Sequence, residues 1–426
     1  MASLEKCDPE VAAILAAEVK RQSETLELIA SENHCSGAVM EAMGSVLTDK
    51  YAEGYPNRRY YCGNENADRV EQLCIDRAKA LFNAEHANVQ PHSGTSANLA
   101  VYMACLKPGD KIMGMSLAHG GHLSHGMRLN ISGMVYQAAS YGVDEKTEQL
   151  DMDQVRQAVL KEKPTLLVVG ASAYPRKIDF AAFGAIAQEA GCLMMSDIAH
   201  IAGLVVGKVH PDPVPHSDFV TTTNHKTLRG PRGGIILCRE KWAKAVDAAV
   251  FPGIQGGPLE HVIAGKAVAF YEAMQPPFRH YAQRILDNAQ TLARELMAKG
   301  WRLVSGGTDN HLMLLDLRSR QPDLTGHLAA DWLASTGIIA NWNSIPFDPR
   351  PPMRASGLRF GSPAVTTRGM GADEMKLIAG WIDKILLSQG ESKPIDEVRG
   401  AVLELCRSFP IPARDGECAF DCQIRE

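Results

Sequence analysis

The chain has 426 residues, too many for one ordinary hydrophobic core, and its 45% hydrophobic and 22% charged residues give the composition of a globular protein, for which two domains are expected. The formal net charge of -5 comes from acidic and basic residues interspersed along the whole length, with no basic patch for nucleic acid and no polybasic stripe for a membrane surface. Chemistry on small molecules is the expectation that composition leaves.

The opening segment, MASLEKCDPEVAAILAAEVK, carries charges throughout and has no apolar h-region, so neither a signal nor a transit peptide is expected. No apolar run approaches the roughly 20 residues of a membrane helix, and a cytoplasmic location is expected. Asp8-Pro9-Glu10 is a helix start, and Val11, Ile14, Leu15 and Val19 fall on one stripe, which predicts a helical arm over residues 1–30 that packs on something larger. From about residue 70, helical patterns alternate with the short apolar runs ANVQ, KIMGM, MVYQAA, TLLVVG, CLMMSD, FVTTT and GIILC. That alternation predicts an α/β fold with βαβ units and a largely parallel sheet covered on both faces. The helical stretch HVIAGKAVAFYEAM meets Gln275-Pro276-Pro277, where two prolines interrupt or end it, so a large domain over 31–280 is expected to stop there. An amphipathic helix, the strand-like HLMLLDL, another helix and a strand–helix unit follow, and they predict a smaller α+β domain over 281–426. The 10 cysteines are scattered and mostly in apolar surroundings, as inert thiols in a reducing compartment are, while Cys418 and Cys422 stay unassigned.

In an open α/β sheet ligands sit at the carboxyl ends of strands, and three segments place polar residues there. In VQPHSGTSANLAVYMA a strand gives way to Ser93-Gly94-Thr95 and then at once to a helix, whose free N–H groups make a phosphate cradle; the same pattern is also a plain cap. In CLMMSDIAHIAGL the strand delivers Asp197, with His200 three residues on, and such a carboxylate can pair with a protonated pyridine nitrogen or simply cap a helix. In FVTTTNHKTLRGPRGG the strand ends in His225-Lys226 before a glycine-rich turn, a setting for a Schiff-base lysine, although exposed turn lysines are commoner. The run LAHGGHLSHG, with His119, His122 and His125 at intervals of three, invites a metal reading. Its glycines oppose a helix and no cysteine or carboxylate adjoins it, so no metal is expected. No Walker A, HExxH or GxSxG pattern occurs.

The order of cradle, aspartate and lysine, together with LELIASEN, KYAEGYP, RRYY, NVQPHSGTSAN, MSLAHGGHLSHG, SAYPRKIDF, DIAHIAGL, HKTLRGPRGG, VFPGIQGGP, VSGGTDNHL and SPAVTTRG, resembles the serine hydroxymethyltransferase family over nearly the whole chain. The resemblance implies a fold-type I enzyme of pyridoxal 5'-phosphate (PLP), with a mostly parallel seven-stranded sheet between helices and a smaller C-terminal domain. It implies Lys226 as the cofactor lysine, Asp197 on the pyridine nitrogen, His122 stacked on the ring, and His200 and Ser172 near its 3-oxygen. Ser93, Gly94 and Thr95 hold the phosphate, His225 belongs to the cofactor site, and Tyr51 and Gly257 reach the phosphate from the neighbouring subunit of a homodimer, which a tetramer could contain. Arg359 and Ser31 meet the substrate carboxylate, while Glu53 and Tyr61 handle protons where a hydroxymethyl group leaves by retro-aldol cleavage. Tetrahydrofolate captures that one-carbon unit against Tyr60, Leu117, Gly121, Leu123 and Asn343, with Phe251 from the partner chain.

Four departures from the family pattern lie near the implied site. Asn224 stands where threonine is usual, Asn64 and Asn66 replace residues usually aromatic or small, Trp342 replaces the lysine of Asn-Lys-Asn, and Met353-Arg354-Ala355 replaces an aromatic followed by Val-Thr-Ser. Drift with repacking explains them, or else a pocket enlarged for an α-substituted serine such as α-methylserine, which would yield alanine. A folate-independent aldolase of 3-hydroxy amino acids and a binding protein of the PLP family without turnover are the rival readings.

Overall fold

The computed structural model describes residues 2–412, so Cys418 and Cys422 lie outside the described residues. Its centre is a seven-stranded sheet of β1 (His86–Asn88), β2 (Lys111–Met115), β3 (Gln137–Tyr141), β4 (Leu166–Val169), β5 (Leu193–Asp197), β6 (Phe219–Thr223) and β7 (Gly234–Cys238). The spatial order is β1-β7-β6-β5-β4-β2-β3, and β7 alone runs antiparallel to its neighbours. The apolar runs predict this directly: LLVV of β4 and FVTTT of β6 are buried at every position, as strands covered on both faces must be. One face packs Val89, Met113, Leu167, Met194, Val220 and Ile235 against helices, and the other packs Ile112, Leu166, Val168, Met195, Phe219 and Ile236.

The prolines at 276 and 277 open a new helix, Pro276–Ala298, immediately after Glu260–Met274 ends, because proline's fixed φ suits a first turn where no N–H bond is lost. That helix and Ala372–Leu387 cover an antiparallel sheet of β8 (Arg302–Leu303), β9 (Leu312–Asp316), β10 (Asn341–Asn343) and β11 (Gly357–Gly361), in the order β8-β9-β11-β10. Leu26 and Leu28 from the start of the chain are part of this second core, and Leu26–Glu27 pairs in parallel with Ile338–Ile339. The helix Pro9–Glu24 forms behind its Asp8 cap, yet Val11, Ile14, Leu15 and Val19 are exposed. Among the described residues no helix is long and apolar enough to cross a membrane.

Candidate active site

The ends of β5 and β6 and Arg359 in the middle of β11, with the start of the helix Gly94–Cys105, border a cavity of about 340 Å³. Ser93 caps that helix: its backbone is extended, and its Oγ accepts from Ser96 N at 3.2 Å, which leaves the remaining first-turn N–H groups to an anion. Gly94 keeps the turn tight against β6, since a Cβ there would stand 2.7 Å from Thr223 Cγ2 and one of the two would have to shift. Asp197 ends β5 and is held from three sides: Asn98 Nδ2 donates to Oδ2 at 2.8 Å, His125 Nε2 meets Oδ2 at 2.9 Å, and Ala199 N donates to Oδ1 at 3.1 Å. Burial alone would push this carboxyl up, but the His125 bond and charge, with His122 and Asn98, more than reverse it and keep Asp197 well below the usual carboxylate range. It is an anion at the floor of the cavity.

Lys226 follows β6 and is buried, and burial, opposed by Asp197 and assisted by Arg359 and Arg232, lowers its ammonium to about 8. An amine so poised is available as a nucleophile near neutral pH. Arg359 projects from β11 with Nη1 donating to Ser172 O at 2.7 Å and Nε donating to Asn341 Oδ1 at 3.1 Å. Burial lowers it to about 10, and among the described residues it has no carboxylate partner. A buried guanidinium bonded only to neutral oxygens is prepared for an incoming carboxylate. His122 bonds Ser124 Oγ through Nδ1 at 2.7 Å, and burial lowers it to about 4, so its ring is neutral and able to lie against a flat ligand. His225 is driven down to about 3 by burial, then by Arg232 and Lys226.

Residues 4–382 match the family model for serine hydroxymethyltransferase. The chain belongs to the serine hydroxymethyltransferase family. It is therefore a fold-type I PLP enzyme by family, in which PLP is the cofactor and tetrahydrofolate the co-substrate. The residues present fit PLP: a desolvated lysine, an ionised aspartate, a capped helix start with the hydroxyls of Ser93 and Thr95, and His225, whose buried Nδ1 has no hydrogen-bond partner among the described residues, all border one cavity.

Of the residues that the resemblance to serine hydroxymethyltransferase implies, Ser31, Ser93, Gly94, Thr95, His122, Ser172, Asp197, His200, His225, Lys226 and Arg359 all line the cavity. Tyr51, Glu53, Tyr60, Tyr61, Phe251 and Gly257 do not. They collect on a different, exposed face: Tyr51 and Tyr61 hydroxyls donate to Glu53 Oε1 and Oε2 at 3.2 and 3.4 Å, Tyr60 meets Phe251 edge-on at 5.6 Å, and the Tyr51 ring lies against Gly257. Tyr51, whose ring also meets Tyr61 edge-on at 5.5 Å, and Tyr60 are 57% and 73% exposed, a large apolar surface to leave open to solvent. Leu117 and Leu123 are half-exposed on the loop that carries His122, Gly121 has no room for a side chain because a Cβ would lie 2.0 Å from Met115 O, and Asn343 sits on β10.

Sequence reasoning missed Asn98 and His125, which fix Asp197. His125 was visible only as part of a run that reads as a metal motif, and the three histidines part company. His119 accepts from Val143 N and packs on Phe347 at 4.6 Å, whereas His122, His125 and Asp197 place ligand atoms within 4.8 Å of one another, with His125 Nε2 committed to Asp197. The departures resolve unevenly. Met353 and Arg354 are exposed, Ala355 is buried with its carbonyl bonded to Gly326 N, and none of the three lines the cavity. Trp342 packs on His327 at 4.8 Å, and Asn64 stands at the N-cap position of the helix Glu65–Phe82 without a capping side-chain bond, its Nδ2 donating instead to Tyr61 O. Asn224 is wholly buried with neither amide atom bonded, and the structure offers no reason for its choice over threonine.

Proposed function

We propose that this chain transfers a hydroxymethyl group between serine and glycine, with tetrahydrofolate as the one-carbon acceptor. The observation that carries the reading is Arg359, buried without an acid, facing the same cavity as Lys226 and Asp197. When bound, PLP supplies the electron sink that lets the Cα–Cβ bond of serine break. Arg359 and Ser31 orient the substrate carboxylate, Asp197 stays ionised so that it can hold a proton on the pyridine nitrogen, and the Ser93-Gly94-Thr95 turn binds phosphate oxygens. Glu53 and Tyr61, hydrogen-bonded as a pair, take up and return the proton of the departing hydroxyl. Because that pair does not line its own chain's cavity, the reading is a homodimer in which each chain completes its partner's site, with Tyr51 and Gly257 over the phosphate. Tyr60 and Phe251 meet the folate together with Leu117, Gly121, Leu123 and Asn343. The exposed stripe of Val11, Ile14, Leu15 and Val19 suits the same association.

The α-methylserine reading draws no support from Met353-Arg354-Ala355, which stand away from the cavity, and rests on Asn224 beside Lys226. Turnover of the purified protein with L-serine and with each enantiomer of α-methylserine, with and without tetrahydrofolate, tests all of this. Preference for L-serine and dependence on tetrahydrofolate are expected. A tenfold preference for α-methylserine, about 1.4 kcal/mol, would move the assignment to the alanine-forming reaction, and formaldehyde release without folate would make the protein an aldolase.

A further inference from the structure

We propose that His311 sets the proton position on His200: His311 Nε2–H donates to His200 Nδ1, so that His200 presents Nε2–H to the cavity as a hydrogen-bond donor. The inference rests on the cavity's binding an anionic amino acid and cofactor, and it adds to that reading a positioning residue that does not border the cavity.

His311 precedes β9, is fully buried, and is fixed by its own backbone, whose carbonyl accepts from Ser362 N at 3.0 Å. Its ring meets the His200 ring edge to edge, with centroids 5.4 Å apart, planes 28° from parallel and His311 Nε2 3.2 Å from His200 Nδ1. His200 faces the Lys226 cavity on one side and His311 on the other. Both rings are neutral. Burial, then Lys226 and Arg359, drives His200 well below the usual imidazole range, and burial, then Arg359 and Lys226, drives His311 to about 3. Two neutral imidazoles in contact share one proton between the facing nitrogens, so the pair has two arrangements, and they present opposite faces to the cavity.

The cavity decides between them. Lys226, Arg232, Arg359 and the helix start at Ser93 make it a site for anionic oxygens. A bare ring nitrogen turned toward such an oxygen repels it, while an N–H bonds it. His200 therefore needs its proton on Nε2 and a donor at Nδ1, which His311 Nε2–H supplies. His311 Nδ1 is then bare. Among the described residues it is buried with no hydrogen bond of good geometry, the Ala30 backbone standing beside the ring; His210 Nε2 is likewise unbonded, and His210 Nδ1 lies 3.2 Å from Pro211 O, which only accepts, so His210 Nε2 is bare as well. His210, Asn310 and His311 line a void of about 10 Å³, close to the least that holds one water, and a water there can donate to both bare nitrogens. The backbone of Ala30 beside His311 opposes the effect of burial and is the acceptor that the reverse arrangement would use.

The full chain, saturated with PLP and labelled with 15N-histidine, gives a direct reading, because long-range 1H–15N correlation separates protonated from bare ring nitrogens and a His200→Asn control assigns the signals. The expected spectrum has His200 protonated on Nε2 and bare on Nδ1. In His311→Phe, which keeps a ring but no nitrogen, the two His200 signals move toward each other as both tautomers are populated, and kcat/KM for serine falls about five- to tenfold, the loss of one hydrogen bond. His311→Gln, which can still donate, restores the wild-type pattern. A wild-type His200 protonated on Nδ1, a His200 pattern indifferent to His311→Phe, or a glutamine variant that restores nothing would each overturn the proposal. If the phenylalanine variant does not fold, the wild-type spectrum decides alone. That spectrum does not depend on turnover, so failure of hydroxymethyl transfer would refute the function and leave the tautomer assignment standing.

Discussion

Lys226, Asp197 and Arg359 show how burial gives three ordinary ionisable side chains different tasks. Lys226 is lowered to about 8 chiefly by burial. It attacks a carbonyl only as the free amine, so capture of PLP by the stripped protein is expected to speed up as pH rises and to level off above about 8, which stopped-flow absorbance would follow. Asp197 is kept anionic against its burial by His125 and His122. Asp197→Asn removes the charge and is expected to lower kcat about 100-fold or more, in the range for removing a preorganised electrostatic partner. Arg359→Lys keeps the charge but loses the planar fork and its bonds to Ser172 O and Asn341 Oδ1. It is expected to raise KM for serine about tenfold or more with a smaller change in kcat.

Two elements position chemistry that lies beyond their own ends. The helix Gly94–Cys105 is aimed by its cap, and Ser93→Ala is expected to cost about 1 kcal/mol of stability and to weaken PLP retention, both read by melting with and without the cofactor. The hairpin Gly54–Arg59 carries Glu53 and Tyr61 at its flanks, and Arg59 ties it down by donating to Ala52 O and Gly54 O while pairing with Asp68, Glu71 and Glu260. Glu71 and Glu260 are both fully buried around this one arginine, and burial, then each other's charge, raises Glu260 far above its usual range, so the pair keeps a proton at neutral pH. A carboxyl whose folded pKa is raised contributes its full stability only below its ordinary value, and that contribution is lost progressively from there until pH passes the raised value, about 9 for Glu260. Thermal stability is expected to fall from mildly acidic pH through neutrality and to level off above about 9, and to fall less steeply in Glu260→Gln. Both elements announce themselves locally, through Ser-Gly-Thr before a helix and through the aromatic RRYY segment; the buried acids beneath the hairpin do not.

At the scale of the molecule, the cluster of Tyr51, Glu53, Tyr60, Tyr61, Phe251 and Gly257 contributes no residue to the lining of the cavity around Lys226. If each site is shared, Lys226→Ala and Glu53→Gln fail in different halves, and mixing the two inactive proteins under conditions of subunit exchange rebuilds one intact site in each hybrid dimer. About a quarter of wild-type activity is then expected from random pairing. No recovery, with exchange verified, would confine the site to one chain.

The amino-acid sequence by itself determined the α/β class, the strand ends that carry Asp197 and Lys226, and the cap at Ser93, because periodicity, cap chemistry and strand termini are properties of neighbouring residues. It also carried the family, through motifs spread along the chain. Only the tertiary structure decided that Asn98 and His125 hold Asp197, that Arg359 crosses from β11 to the same cavity, that Met353-Arg354-Ala355 stands apart from it, and that His311 lies behind His200. Each of these is a meeting of segments far apart in the chain, governed by sheet order and burial rather than by local pattern. The separation of Glu53 and Tyr61 from the cavity of Lys226 belongs to the same class, since it too follows from how distant segments pack rather than from local pattern.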